Sequence, residues 1–117
     1  MSTNSQIAFT PLGKTVVVAA AGTAPTGVQA PVYEKFNPQN AGQYRFVNAG
    51  TNTVFLGTGA SAAEATANAV APVAGNPSPA IVLVPGAVEI IRFNKDTYFS
   101  GLAAAATTVY ITPGQGL

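Results

Sequence analysis

Four carboxylates carry the acid–base chemistry of this chain: Glu34, Glu64, Glu89 and Asp96. Histidine and cysteine are absent, which removes the commonest proton-transfer side chain and the best nucleophile. A two-carboxylate glycosidase site is conceivable from four acids, because distance along the chain does not set distance in space. No aromatic and polar constellation of the kind a sugar site needs accompanies them, and Glu89 and Arg92 fall on opposite faces of one strand. The charges read as solvated or paired surface groups, and the chain is not expected to be an enzyme. The same inventory argues against a metal. Zinc and other transition-metal sites draw mainly on His and Cys, and no Asp-rich loop offers oxygens to calcium. No cofactor is expected.

One motif needs a closer test. Gly57-Thr58-Gly59-Ala60-Ser61-Ala62 fits the Gly-x-Gly-x-x-Ala dinucleotide fingerprint, and it follows a strand and precedes a helical stretch. The fingerprint also needs an acid about 20 residues on to hold the ribose. That region is Asn76-Pro77-Ser78-Pro79-Ala80, with no acid, so the glycines are assigned to a turn. Tyr33, Tyr44, Tyr98 and Tyr110 offer a second binding chemistry, a stacking platform for sugars, if several face outward. Burial in a core or an interface is the competing reading.

The elements that hold these residues are strands. Ile81-Val82-Leu83-Val84 and Val88-Glu89-Ile90-Ile91-Arg92-Phe93 are rich in β-branched residues and hinge on Pro85-Gly86. Pro-Gly presets a type II turn, whereas tight hairpins prefer the primed turns. The dipeptide therefore predicts a corner where the chain leaves one sheet for another. Further strands are predicted near 15–20, 43–48, 53–57, 97–100 and 107–112. Asn48 to Asn52 and Asn94 to Asp96 read as the loops of two hairpins. Pro31 restricts the segment from Val28 to Phe36 to an edge strand or extended connection. Ser61 and Glu64 form a capping box, predicting a short helix over 61–71 ended by Pro72. It lacks large apolar residues, so weak docking is expected, with a loop as the alternative. Lys14 to Ala21 superficially resembles a signal peptide with Val28-Gln29-Ala30 as its cleavage site, but its short core and the breaks at Gly22 and Pro25 favour a first strand. Seven or eight short strands predict an all-β fold, a β-sandwich of jelly-roll type with at most one short helix. Residues 1–13 are expected to form an N-terminal arm and 14–117 a single domain. Ile7, Phe9 and Leu12 on the arm are candidate contacts to a partner or to the chain's own domain.

Charge is the unusual quantity. Charged residues are 8% of the 117, against about 25% in a typical soluble domain. Such a surface has little to keep copies apart, and an assembly that covers it is expected. Tyr44 and Phe46 point to one side of their strand and Arg45 and Val47 to the other, so apolar groups occupy both faces. The five cations are scattered, which argues against a nucleic-acid partner. No run approaches the ~20 apolar residues of a membrane span, so no membrane is expected.

The second half resembles small structural proteins of tailed bacteriophages. The likeness is carried by Tyr44-Arg45-Phe46-Val47-Asn48-Ala49-Gly50, Val54-Phe55-Leu56-Gly57, the Val84-Pro85-Gly86 corner, Val88-Glu89-Ile90 and the ending Thr108 to Gly116. It covers residues 43 to 116 as a pattern of strands and turns, without a diagnostic motif. The resemblance implies a capsid cement, or decoration, protein: a jelly-roll-like virion subunit made in the host cytoplasm. It would sit on the outer capsid surface, bind the major capsid protein, and assemble as a homo-oligomer, dimer or trimer. The alternative is a carbohydrate- or receptor-binding sandwich from a phage fibre or tail.

Overall fold

The computed structural model describes residues 9–34 and 41–115. Its elements in order are β1 (Thr10–Pro11), β2 (Val16–Ala20), β3 (Val28–Gln29), β4 (Ala41–Asn48), β5 (Val54–Gly59), α1 (Ala62–Asn68), β6 (Ile81–Leu83), β7 (Val88–Asn94), β8 (Tyr98–Leu102) and β9 (Thr107–Gln115). Two antiparallel sheets face one another. One has the order β1-β9-β4-β7, with β2 beside β1 on the same flank of β9; the other has the order β3-β8-β5-β6.

The topology follows from one long folded hairpin. β2 pairs β9, β3 pairs β8, β4 pairs β7 and β5 pairs β6, with α1 near the tip. Rolling that ladder up brings β4 against β9 and β5 against β8 and closes an eight-stranded jelly roll. The chain therefore changes sheet at almost every connection.

This corrects the two predicted hairpins. β4 and β5 lie in different sheets, as do β7 and β8, so Asn48 to Asn52 and Asn94 to Asp96 are corners. Their Gly and Asn residues suit either geometry, and side-chain bonds decide between them. The fully buried Asn48 side chain donates to the carbonyls of Asn52 and Leu83 and accepts from the N–H of Gly50. That fastens the β4–β5 loop to β6 in the opposite sheet. The Pro85-Gly86 corner is as predicted. Gly86 has φ +80° and the N–H of Ala87 bonds the carbonyl of Val84 at 2.9 Å, carrying the chain from β6 to β7.

The core lies between the inner faces. Val18, Ala20, Tyr44, Phe46, Val109 and Ile111 come from one sheet, and Val54, Leu56, Leu83 and Phe99 from the other, all buried. Phe99 is central: its ring meets Tyr44, Phe46 and Phe93 edge-to-face, with centroids 6.4, 5.3 and 5.1 Å away.

Helix α1 covers part of the outer face of the β3-β8-β5-β6 sheet. Ser61 caps it, accepting from the N–H of Glu64, and the Glu64 carboxylate accepts from the N–H of Ala60. The helix docks by closeness rather than bulk. A Cβ at Gly57 would lie 2.3 Å from the Ala65 carbonyl oxygen and 2.4 Å from the Ala69 nitrogen. The glycines of the dinucleotide-like motif thus let a helix of alanines lie directly on β5, burying Ala65 and Ala69. The helix stops at Asn68, earlier than predicted, where the Asn68 amide turns back to donate to the Thr58 carbonyl.

Candidate functional site

The residues considered for chemistry are dispersed. Glu64 is bound into the helix cap, Glu89 stands opposite Phe46 on β7, and Asp96 lies in the β7–β8 corner. Arg45 stands opposite Ile90 and Thr112 rather than an acid. Two open hollows of about 360 and 350 Å³ flank the Asn94-Lys95-Asp96 corner, one walled by Gln29 and Tyr33, the other by Thr58 and Phe93. Asp96 borders both and is the sole acid lining either one, so neither holds the carboxylate pair that a glycosidase needs. Among the described residues, no three acids converge and no helix is long and apolar enough to cross a membrane.

The tyrosines form no platform. Tyr110 points outward from β9, Tyr98 is half-buried on the outer face of the other sheet, and Tyr44 lies wholly inside. The Tyr33 hydroxyl donates toward the carbonyls of Gln43 and Gly114, at 2.6 and 2.8 Å, and its ring stands edge-on to Tyr44. Burial pushes the Tyr33 phenol above its usual range, partly offset by those two bonds. Tyr44 is pushed up to about 12, first by burial, then by Tyr33 and the negative charge of Asp96. Its buried hydroxyl has no hydrogen-bond partner among the described residues.

That orphan group gives a prediction. An unsatisfied buried hydroxyl costs about 1–3 kcal/mol, so Tyr44→Phe should leave the protein as stable or more stable at neutral pH. A raised phenol pKa contributes stability that is intact below the unfolded value, near 10, and is lost as pH rises toward about 12. Tyr44→Phe should flatten that alkaline decline. Urea midpoints measured on both sides of pH 10 test this, and an equally steep decline in the variant would refute it.

The arm residues split. Ile7 lies outside the described residues. Phe9 is half-buried with its ring against Gly114, and Leu12 is held by the Pro113 carbonyl and the Glu34 N–H. From residue 9 onward, the described part of the arm joins the sandwich through β1, whose Thr10 and Pro11 pair with Gln115 and Gly114.

What is exposed is a sheet face. On the outer side of the β2-β9-β4-β7 half, Val17 pairs with Tyr110, Tyr110 with Val47, and Val47 with Val88. These four apolar side chains make one row across four strands, about 14 Å from first to last at normal strand spacing. Val17 is 46% exposed, Tyr110 42%, Val88 50%, and Ile90 beside Val88 42%. The opposite outer face has α1 lying on it; this one has no covering element among the described residues. The individual strands carry the outward apolar positions plainly, but the row exists only once the register of four strands is set, which sequence alone does not supply. No family, curated protein or solved structure matches this chain.

Proposed function

We propose that the protein is a structural subunit that docks by this bare sheet face, and that the surface it braces is the outside of a phage capsid built from the major capsid protein. The observation that carries the reading is the apolar row Val17–Tyr110–Val47–Val88 on an otherwise weakly charged domain. Contiguous apolar surface of this kind marks interaction sites. Each contact to the shell can be modest, because a subunit touching several capsid proteins gains by multivalency. The resemblance of residues 43–116 to cement proteins supplies the choice of partner. The scattered acids and the absence of His and Cys agree with a non-enzymatic role. The dispersal of the tyrosines gives no support to a sugar platform.

The test is the composition of purified particles. Wild-type protein is expected at many copies per virion, and Val88→Lys combined with Tyr110→Lys should lower copies per particle and capsid melting temperature while the free domain keeps its β spectrum. Absence of the wild-type protein from virions ends the proposal. Full occupancy of the double variant removes the face from it.

A further inference from the structure

We infer that strand β7 is the contact between two copies of this chain, joined antiparallel across a two-fold axis normal to the sheet. Each sandwich has edge strands, and their unpaired N–H and C=O groups are templates for another strand. Three of the four edges are guarded. The β1/β2 edge carries Pro11 and is broken before Val16 at Lys14; β3 is two residues long and is followed by Pro31; β6 is three residues long and ends near Pro85. β7 is longer and proline-free. It pairs with β4 without interruption from Val88 to Asn94, has no neighbour on its other side among the described residues, and its two charges, Glu89 on the face of Phe46 and Arg92 on the other, are of opposite sign.

The ladder tells which groups are free. The N–H of Asn48 bonds the Ala87 carbonyl, and its carbonyl accepts from Gly86. Alternation along the register then directs the backbone groups of Glu89, Ile91 and Phe93 toward β4. Those of Val88, Ile90, Arg92 and Asn94 point to the open edge.

A second copy fits that edge over its whole length. A two-fold normal to the sheet sets side chains of the same face opposite one another, and centring it on Ile91 pairs all seven residues. Ile90 then faces Arg92 of the second copy, Glu89 faces its Phe93, and Val88 faces its Asn94. No like charges stand directly opposite, which would oppose pairing. Both free-edge sets meet as hydrogen-bonded pairs, so the backbone is satisfied on each side. The two bare faces would also point the same way, giving a platform with two apolar rows. The dimer itself does not depend on capsid binding.

Sedimentation velocity of the purified full chain over a wide concentration range tests it. A monomer–dimer equilibrium is expected. Ile90→Pro removes an N–H that serves only the open edge, so it should weaken association at least tenfold while leaving the circular dichroism spectrum and urea midpoint close to wild type. Should that variant fail to fold, Ile90→Lys, which keeps the backbone and sets a lysine against the second copy's Arg92, is expected to weaken association in the same direction. A wild type that stays monomeric throughout, a trimer, or a dimer unaffected by the folded variant would each overturn the inference. None of these results bears on whether the protein is found in virions, so the two proposals fail separately.

Discussion

Phe99→Ala is expected to remove about 3–5 kcal/mol of stability, the largest loss of any single core truncation here. The ring comes from β8 and lies against three rings from the opposite sheet: Tyr44 and Phe46 on β4 and Phe93 on β7. It is fully buried, so truncation leaves a cavity lined by rings that are themselves held in the sheets. Each edge-to-face contact adds about 0.5–1.5 kcal/mol beyond area, and three are lost together. A domain of this size has about 5–15 kcal/mol in total, so the variant should unfold at much lower urea with an unchanged slope. Phe99→Leu keeps most of the volume and should lose markedly less. A midpoint for Phe99→Ala within experimental error of wild type would show that the sheets close over the gap, and that the aromatic cluster is not what joins them.

The positions of the strands were legible because β-branched and aromatic runs are bounded by Gly, Pro and Asn. The Pro85-Gly86 corner was legible because its turn type does not suit a hairpin, and the helix start because Ser61 and Glu64 are spaced to cap. Pairing was not legible. The corner after Asn48 and the corner after Asn94 have the length and composition of hairpin loops, and only contacts with distant residues send them across the sandwich. The docking of α1 was hidden for a related reason. A helix without large apolar residues looks unanchored until Gly57 and Gly59 are seen to admit its backbone. The exposed row was half visible. Val47 was seen to oppose Tyr44 and Phe46, but its neighbours Tyr110, Val17 and Val88 are brought together from positions 41 to 93 residues apart in pairs along the row. No local pattern aligns them.

Asn48 should prove the most demanding polar position in the fold. Its backbone bonds Ala87 and Gly86, and its side chain bonds Gly50, Asn52 and Leu83, so one residue ties the β4–β5 corner to the β6–β7 corner. Asn48→Leu keeps the volume and removes all three side-chain bonds. It leaves the Leu83 carbonyl and the Gly50 N–H without those partners, at about 1–3 kcal/mol for each buried group, so a loss of about 3–5 kcal/mol is expected. Asn48→Asp separates hydrogen bonding from shape. The new carboxylate would still accept from Gly50, but it would face the carbonyl oxygens of Asn52 and Leu83, both 2.9 Å from the present amide nitrogen. Only the protonated acid can donate to either. Its folded pKa must therefore lie above the unfolded carboxyl value of about 3.9. For such a group, stability is greatest below the unfolded pKa and is lost as pH rises through the folded one. Relative to wild type, Asn48→Asp should therefore be more destabilised at neutral pH than near pH 4, while the deficit of Asn48→Leu should not vary in step with carboxyl titration. Urea unfolding of the three proteins at both pH values distinguishes these outcomes. A pH-independent deficit for Asn48→Asp would mean that the amide does not donate to those carbonyls, and that the two corners are held by the backbone bonds of Asn48 alone.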